Sequence, residues 1–173
     1  SHDRPVDILH DGFDCVIRTG ALPEDGVIAR PLGKLTMVNC ASPHYLTRFG
    51  YPQSPDDLTS HAIVRYTPHL GVHPLGFEVA SVNGVQWFKS GGMLTVNSSE
   101  NYLAAGLAGL GIIQIPRIAV REALRAGRLI EVLPGYRAEP LSLSLVYPQR
   151  RELSRRVNLF MQWLAGVMKE HLD

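Results

Sequence analysis

Residues 97–116 read NSSENYLAAGLAGLGIIQIP. A polar start, a proline-free run rich in alanine and leucine, and then β-branched residues describe a helix feeding a buried strand. Asn97 and Glu100 have capping-box spacing, with Ser98 as an alternative cap. Leu103, Leu107 and Leu110 fall on one helical face, and Gly106 and Gly109 would let another backbone come close. The free N–H groups and positive dipole end of such a helix suit an anion. The other reading is that the cap serves only to stabilise the helix, by about 1 kcal/mol. Periodicity alone favours this second reading.

Helices and strands alternate on both sides of this stretch. DRPVDILHDG reads as a short helix carrying Val6, Ile8 and Leu9, stopped by Gly12. FDCVIRTG reads as a strand closed by Gly20, and ALPEDG as a turn. VIARPLGKLTMVNCAS is a long extended run broken by Pro31 and Gly33. HYLTRFG is a short helix with Gly50 past its end, and SPDDLTSH a helical turn with Ser54 as cap and Pro55 at its first position. Between residues 62 and 96 the period is near two, which predicts four short strands. Then come helix 98–110, strand 111–115, helix 117–126 and strands 129–133 and 141–147. A last helix spans Leu153 to Leu172, with Leu153, Val157, Phe160, Leu164 and Val167 as its apolar stripe and Ser154 as an alternative cap. This alternation predicts an α/β fold with a parallel sheet joined by right-handed crossovers. Such a sheet should begin with a strand, so a strand–helix unit is expected ahead of the opening helix.

The totals bound the function. The 173 residues suit one domain or two small lobes. Seventeen basic and 16 acidic side chains give a net charge of +1, which supplies no footprint for nucleic acid or an anionic membrane. Cys15 and Cys40 sit in apolar runs and read as small buried hydrophobes, pointing to a reducing cytoplasm. No apolar run reaches the roughly 18 residues of a membrane span. SHDRPVD lacks the apolar core of a signal peptide, and Ser1-His2 has the look of a cloning remnant.

Groups able to do chemistry are sparse. Arg18-Thr19-Gly20 places a guanidinium and a hydroxyl at the carboxyl end of a strand, where open α/β sheets bind ligands. Arginine pairs with a carboxylate through two parallel hydrogen bonds. A salt bridge from Arg18 to Glu24 or Asp25 is the competing reading. Seven histidines are dispersed, and His69 and His73 lie in PHLGVHP, whose helix breakers deny them a shared metal-binding face. There is no nucleophile elbow, phosphate loop or C-x-x-C pair. GLAGLG only loosely resembles a dinucleotide fingerprint, and it sits at the negative end of a helix. RRELSRR reads as a solvated helix start. No catalytic residue, metal or cofactor is expected.

Six stretches in register resemble one family. VDILHDGFDCVIRTG, IARPLG, CASPHYLTRFGYPQSPDDLTSH, LTVNSSENYLAAGLAGLGIIQIP, AGRLIEVLPGY and LSLVYPQRRELSRRVNLFMQWL together are similar to the effector-binding domain of LysR-type transcriptional regulators. The resemblance spans about residues 3 to 172. It implies a two-lobed α/β fold like type 2 periplasmic binding proteins, with a ligand cleft between the lobes. Lobe I would comprise residues 1–40 and 117–173, and lobe II residues 41–116. The chain would cross near Asn39–Ser42 and near Gln114–Arg117. Carried over by motif, the effector-binding residues would be Arg18, Thr19, Gly20, Ser42, Pro43, Asn97, Ser98, Ile115 and Pro116. The family's Ser/Thr cluster after its first strand has no counterpart here. The implied partners are a small effector that is not turned over, DNA through an N-terminal domain outside this chain, further copies in a homo-oligomer, and RNA polymerase. A solute-binding protein of the same fold is the alternative.

Overall fold

The computed structural model describes residues 8, 10–20, 26–67, 76–149, 153–169 and 172. In chain order the elements begin with β1 (Val16–Thr19), β2 (Val27–Leu35), β3 (Met37–Ala41) and α1 (Pro43–Phe49). A 3-10 helix (Pro55–Ser60) precedes β4 (Ala62–Tyr66), β5 (Phe77–Ser81), β6 (Gly84–Phe88) and β7 (Gly91–Val96). There follow α2 (Ser99–Leu107), β8 (Ile113–Pro116), α3 (Arg117–Arg125), β9 (Ile130–Glu131), β10 (Leu141–Pro148) and α4 (Arg155–Lys169). Most of the expected opening helix (residues 3–7 and 9), residues 21–25 of the ALPEDG turn, His69 and His73, and residues 150–152 of RRELSRR lie outside the described residues.

The backbone forms two compact units. Met37–Glu139 make the larger, and the described residues up to Thr36 join those from Pro140 onward in the smaller. The chain therefore crosses at 36/37 and 139/140. These points differ from the expected crossings near 39–42 and 114–117, and residues 37–40 and 117–139 fall in the larger unit. Pairing explains the difference: β3 is the central strand of a sheet with order β8-β3-β9, so it holds everything between β8 and β9 in its own unit.

In the smaller unit a sheet of order β1-β10-β2 carries α4 beside β2. Both pairings are antiparallel, against the expectation of a parallel sheet. β10 arrives from the other unit and slots between β1 and β2, so no helical crossover is needed. β2 continues through Pro31 and Gly33 instead of breaking. Leu32 is bulged out, since Pro31 pairs with Ser144 and Gly33 with Leu143. A β-carbon on Gly33 would lie 3.1 Å from Leu172, so the missing side chain makes room for the chain's last apolar residue.

The inner face of α4 matches the expected stripe only in part. Leu153, Val157 and Leu164 are half-buried as expected, but Met161 is the buried residue, with Ala165 and Met168 half-buried, whereas Phe160 and Val167 are exposed. The helix is apolar on two faces, and the contacts with the sheet select one. The same holds for α2, which buries Tyr102, Ala105 and Gly106 and leaves Leu110 half exposed just past its end.

The larger unit has two apolar cores. One joins Val38, Cys40, Val64, Tyr102, Ile113, Val120 and Leu129, and the other Tyr45, Leu58, Ile63, Phe77, Ile112 and Leu133. β4 and β7 form a parallel pair, connected through the β5–β6 hairpin.

Candidate functional site

The carboxyl ends of the parallel pair β4–β7 meet the start of α2. Tyr66 pairs with Val96, and the Thr67 N–H donates to Val96 O at 2.9 Å. Asn97 follows half-buried, and Ser98 caps the helix with no exposure to solvent. Ser98 Oγ accepts from Asn101 N at 3.5 Å, and Ser98 O from Tyr102 N at 2.9 Å. The cap is thus Ser98 and not Asn97, because the backbone becomes helical only at Ser99. Thr67, Asn97 and Ser98 gather hydroxyl and amide groups beside the positive end of a helix dipole, which suits a small anion or polar group. Thr67 was missed in the sequence. Its signal was the matching order of AIVRYT and MLTVNS, two strands that each end in polar residues.

Below this rim Tyr102 and Gln114 seal the unit. Tyr102 Oη accepts from Gln114 N at 2.8 Å and donates to Gln114 O at 3.3 Å. Burial pushes the Tyr102 hydroxyl far above its ordinary pKa of 10, so it stays a neutral phenol. Burial, with help from the Glu131 charge, pushes the Cys40 thiol up to about 12. A thiol so protonated is a poor nucleophile and a poor metal ligand. Among the described residues no group of three His, Cys, Asp or Glu side chains could hold a metal ion.

Ser42 and Pro43 stand elsewhere. Ser42, almost fully buried, caps α1: its Oγ accepts from Tyr45 N at 3.2 Å, and Pro43 takes the first helical position. A β-carbon on Gly109 would lie 3.0 Å from Ser42 Oγ, which fixes Ser42 beside the carboxyl end of α2. Ser98 is at the other end, eleven residues away and roughly 15 Å along a helix that rises ~1.5 Å per residue. The two serines do not form one cluster. Ile115 is a core residue opposite Val38, and Pro116 opposes Met37 and leads into α3. Neither is at a chain crossing.

Arg18 and Thr19 end β1 in the smaller unit, opposite Ser144 and Leu143 of β10. Arg18 is half-buried and Thr19 exposed. Gly20 has φ 76, a conformation that favours glycine, and its N–H donates to Ser142 O at 2.9 Å. The turn holds these three residues together at the strand end.

The family profile described as LysR substrate binding domain matches residues 1–169. The chain is 99% identical over 173 residues to the HTH-type transcriptional regulator YhjC of Escherichia coli strain K12, covering 100% of this chain and 58% of that protein. It is 31% identical over 166 residues to the HTH-type transcriptional activator AaeR of the same strain, covering 95% and 52%. The chain thus spans little more than half the length of these relatives. Among solved structures, the regulatory domain of CrgA, a LysR-type transcriptional regulator from Neisseria meningitidis, superposes with a TM-score of 0.79 at 25% identity, covering 92% of this chain and 77% of that one. The chain belongs to the LysR substrate-binding domain family.

Proposed function

We propose that this chain is the effector-sensing part of a LysR-type transcriptional regulator and that it binds a small anionic molecule without transforming it. The observation that carries the reading is the polar rim of Thr67, Asn97 and Ser98 at the start of α2, where the parallel strands β4 and β7 end. In the smaller unit Arg18, Thr19 and Gly20 would supply a positive charge and hydrogen bonds suited to a carboxylate. Ser42, Pro43, Ile115 and Pro116 would act through packing and capping, and not by direct contact. An effector that binds one arrangement of the protein better than another shifts that equilibrium. A coupling of about 1–3 kcal/mol would be enough to alter the DNA-binding state of an oligomeric, cytoplasmic regulator and its action on RNA polymerase.

Calorimetry with a panel of small carboxylates tests the reading. Arg18→Ala is expected to weaken a carboxylate hit by roughly 10–100-fold, the worth of a charge-assisted pair. Unchanged affinity in a folded variant would remove Arg18 from the site. Conversion of the bound compound, followed by NMR, would overturn the non-enzymatic reading.

A further inference from the structure

We infer that Gln114 is a positioning residue that clamps the second connection between the two units. The chain enters the larger unit at Met37 and leaves it at Glu139. Two residues after entry, Asn39 is fully buried and stands directly opposite Gln114 in the β3–β8 pairing. Gln114 Nε2 donates to Asn39 Oδ1 at 2.9 Å and to Glu78 O at 2.7 Å, and Gln114 Oε1 accepts from Glu78 N at 3.3 Å. One amide thus holds both the entering strand and the start of β5.

Both of these in turn hold the exit. Asn39 Nδ2 donates to Leu133 O at 3.2 Å and Tyr136 O at 2.8 Å. Leu133 has φ 49, a conformation sparsely populated by residues with a side chain, so the turn needs such external bonds to persist. Glu131 closes the base of the turn: its Oε1 accepts from Arg137 Nε at 2.9 Å and Nη2 at 2.6 Å, and its Oε2 from Arg117 at 2.7 Å. β5 then takes the last stretch, with Ala80 N donating to Arg137 O at 2.8 Å and Glu139 N to Glu78 Oε1 at 3.0 Å. Glu139 is the final residue before the chain departs through Pro140 into β10. Entrance and exit are therefore hydrogen-bonded to one polar cluster, with fully buried Asn39 and half-buried Gln114 at its centre. A network satisfied in this way around a buried side chain holds its backbone segments in one arrangement, and opening one bond loosens the others. The clamp confines motion of the return connection, which the proposed sensing would exploit; its own test needs no effector, so the two ideas fail separately.

Amide hydrogen exchange tests the clamp. Gln114→Leu should speed exchange at Tyr136 and Glu139 by roughly tenfold or more, while Val64 and Ile112, bonded to each other's strand in the same unit, keep their protection. Exchange that rises equally at Val64, or that stays unchanged at Tyr136 and Glu139, would overturn the inference. Should Gln114→Leu fail to fold, Gln114→Glu is read instead: it keeps an oxygen to accept from Glu78 N and loses the Nε2–H donors to Asn39 Oδ1 and Glu78 O. Exchange at Tyr136 and Glu139 should again rise while Val64 keeps its protection, and unchanged exchange there would also overturn the inference.

Discussion

Individual side chains show where spacing suffices and where it does not. Capping-box spacing drew attention to Asn97 and Glu100, yet Ser98 caps α2 because the dihedrals turn helical one residue later. Ser98→Ala is expected to cost about 1 kcal/mol in urea denaturation, since a buried N-cap loses its bond to Asn101. Asn97→Ala should cost less. A second local effect was invisible in the sequence: His61, sixteen residues from Tyr45, is buried with Nδ1 3.0 Å from the Tyr45 hydroxyl. Burial lowers the His61 pKa below 6.5, partly opposed by the Asp57 charge. A depressed histidine leaves the folded state at its full stability above the unfolded value near 6.5, and stability declines as pH falls through the folded value. Denaturation midpoints should therefore drop between pH 7 and pH 5, and the drop should shrink in His61→Gln. An equal slope in that variant would assign the effect to other groups.

Elements were legible in kind and approximate in detail. Every strand and helix expected within the described residues forms, save that the turn after Ser54 is 3-10 in shape. What periodicity could not supply was which face of an element is covered. α4 offers two apolar stripes, and only contact with the sheet selects Met161 over Phe160. Strand direction was likewise undetermined, because antiparallel and parallel strands share one period. Glycine roles depend on neighbours from distant elements. A β-carbon on Gly111 would sit 2.6 Å from Ala62 O, the backbone acceptor of the Ile112 N–H. Gly111→Ala should therefore cost about 1–3 kcal/mol, as overpacking does. At Gly135 a β-carbon meets nothing within 4 Å, so Gly135→Ala should be within about 0.5 kcal/mol of neutral. Thermal unfolding of the pair checks both.

For the molecule as a whole, charge carries a prediction of its own. Seventeen basic against 16 acidic side chains give no cationic excess, so this chain alone should not shift DNA in a gel at any salt concentration. A salt-sensitive shift would contradict that. The amino-acid sequence by itself determined the α/β class, the order of elements and the family, because these follow from short-range periodicity and motif spacing. It also singled out Asn97–Ser98 and Arg18–Gly20 as polar strand and helix ends. Tertiary structure decided the unit boundaries at 36/37 and 139/140, the antiparallel sheet around β10, and the separation of Ser42 from Ser98 by the length of α2. It alone brought Asn39, Glu78, Gln114 and Glu139 together. Those features rest on pairings between residues tens of positions apart, and local preference carries no information about which distant strand will become a neighbour.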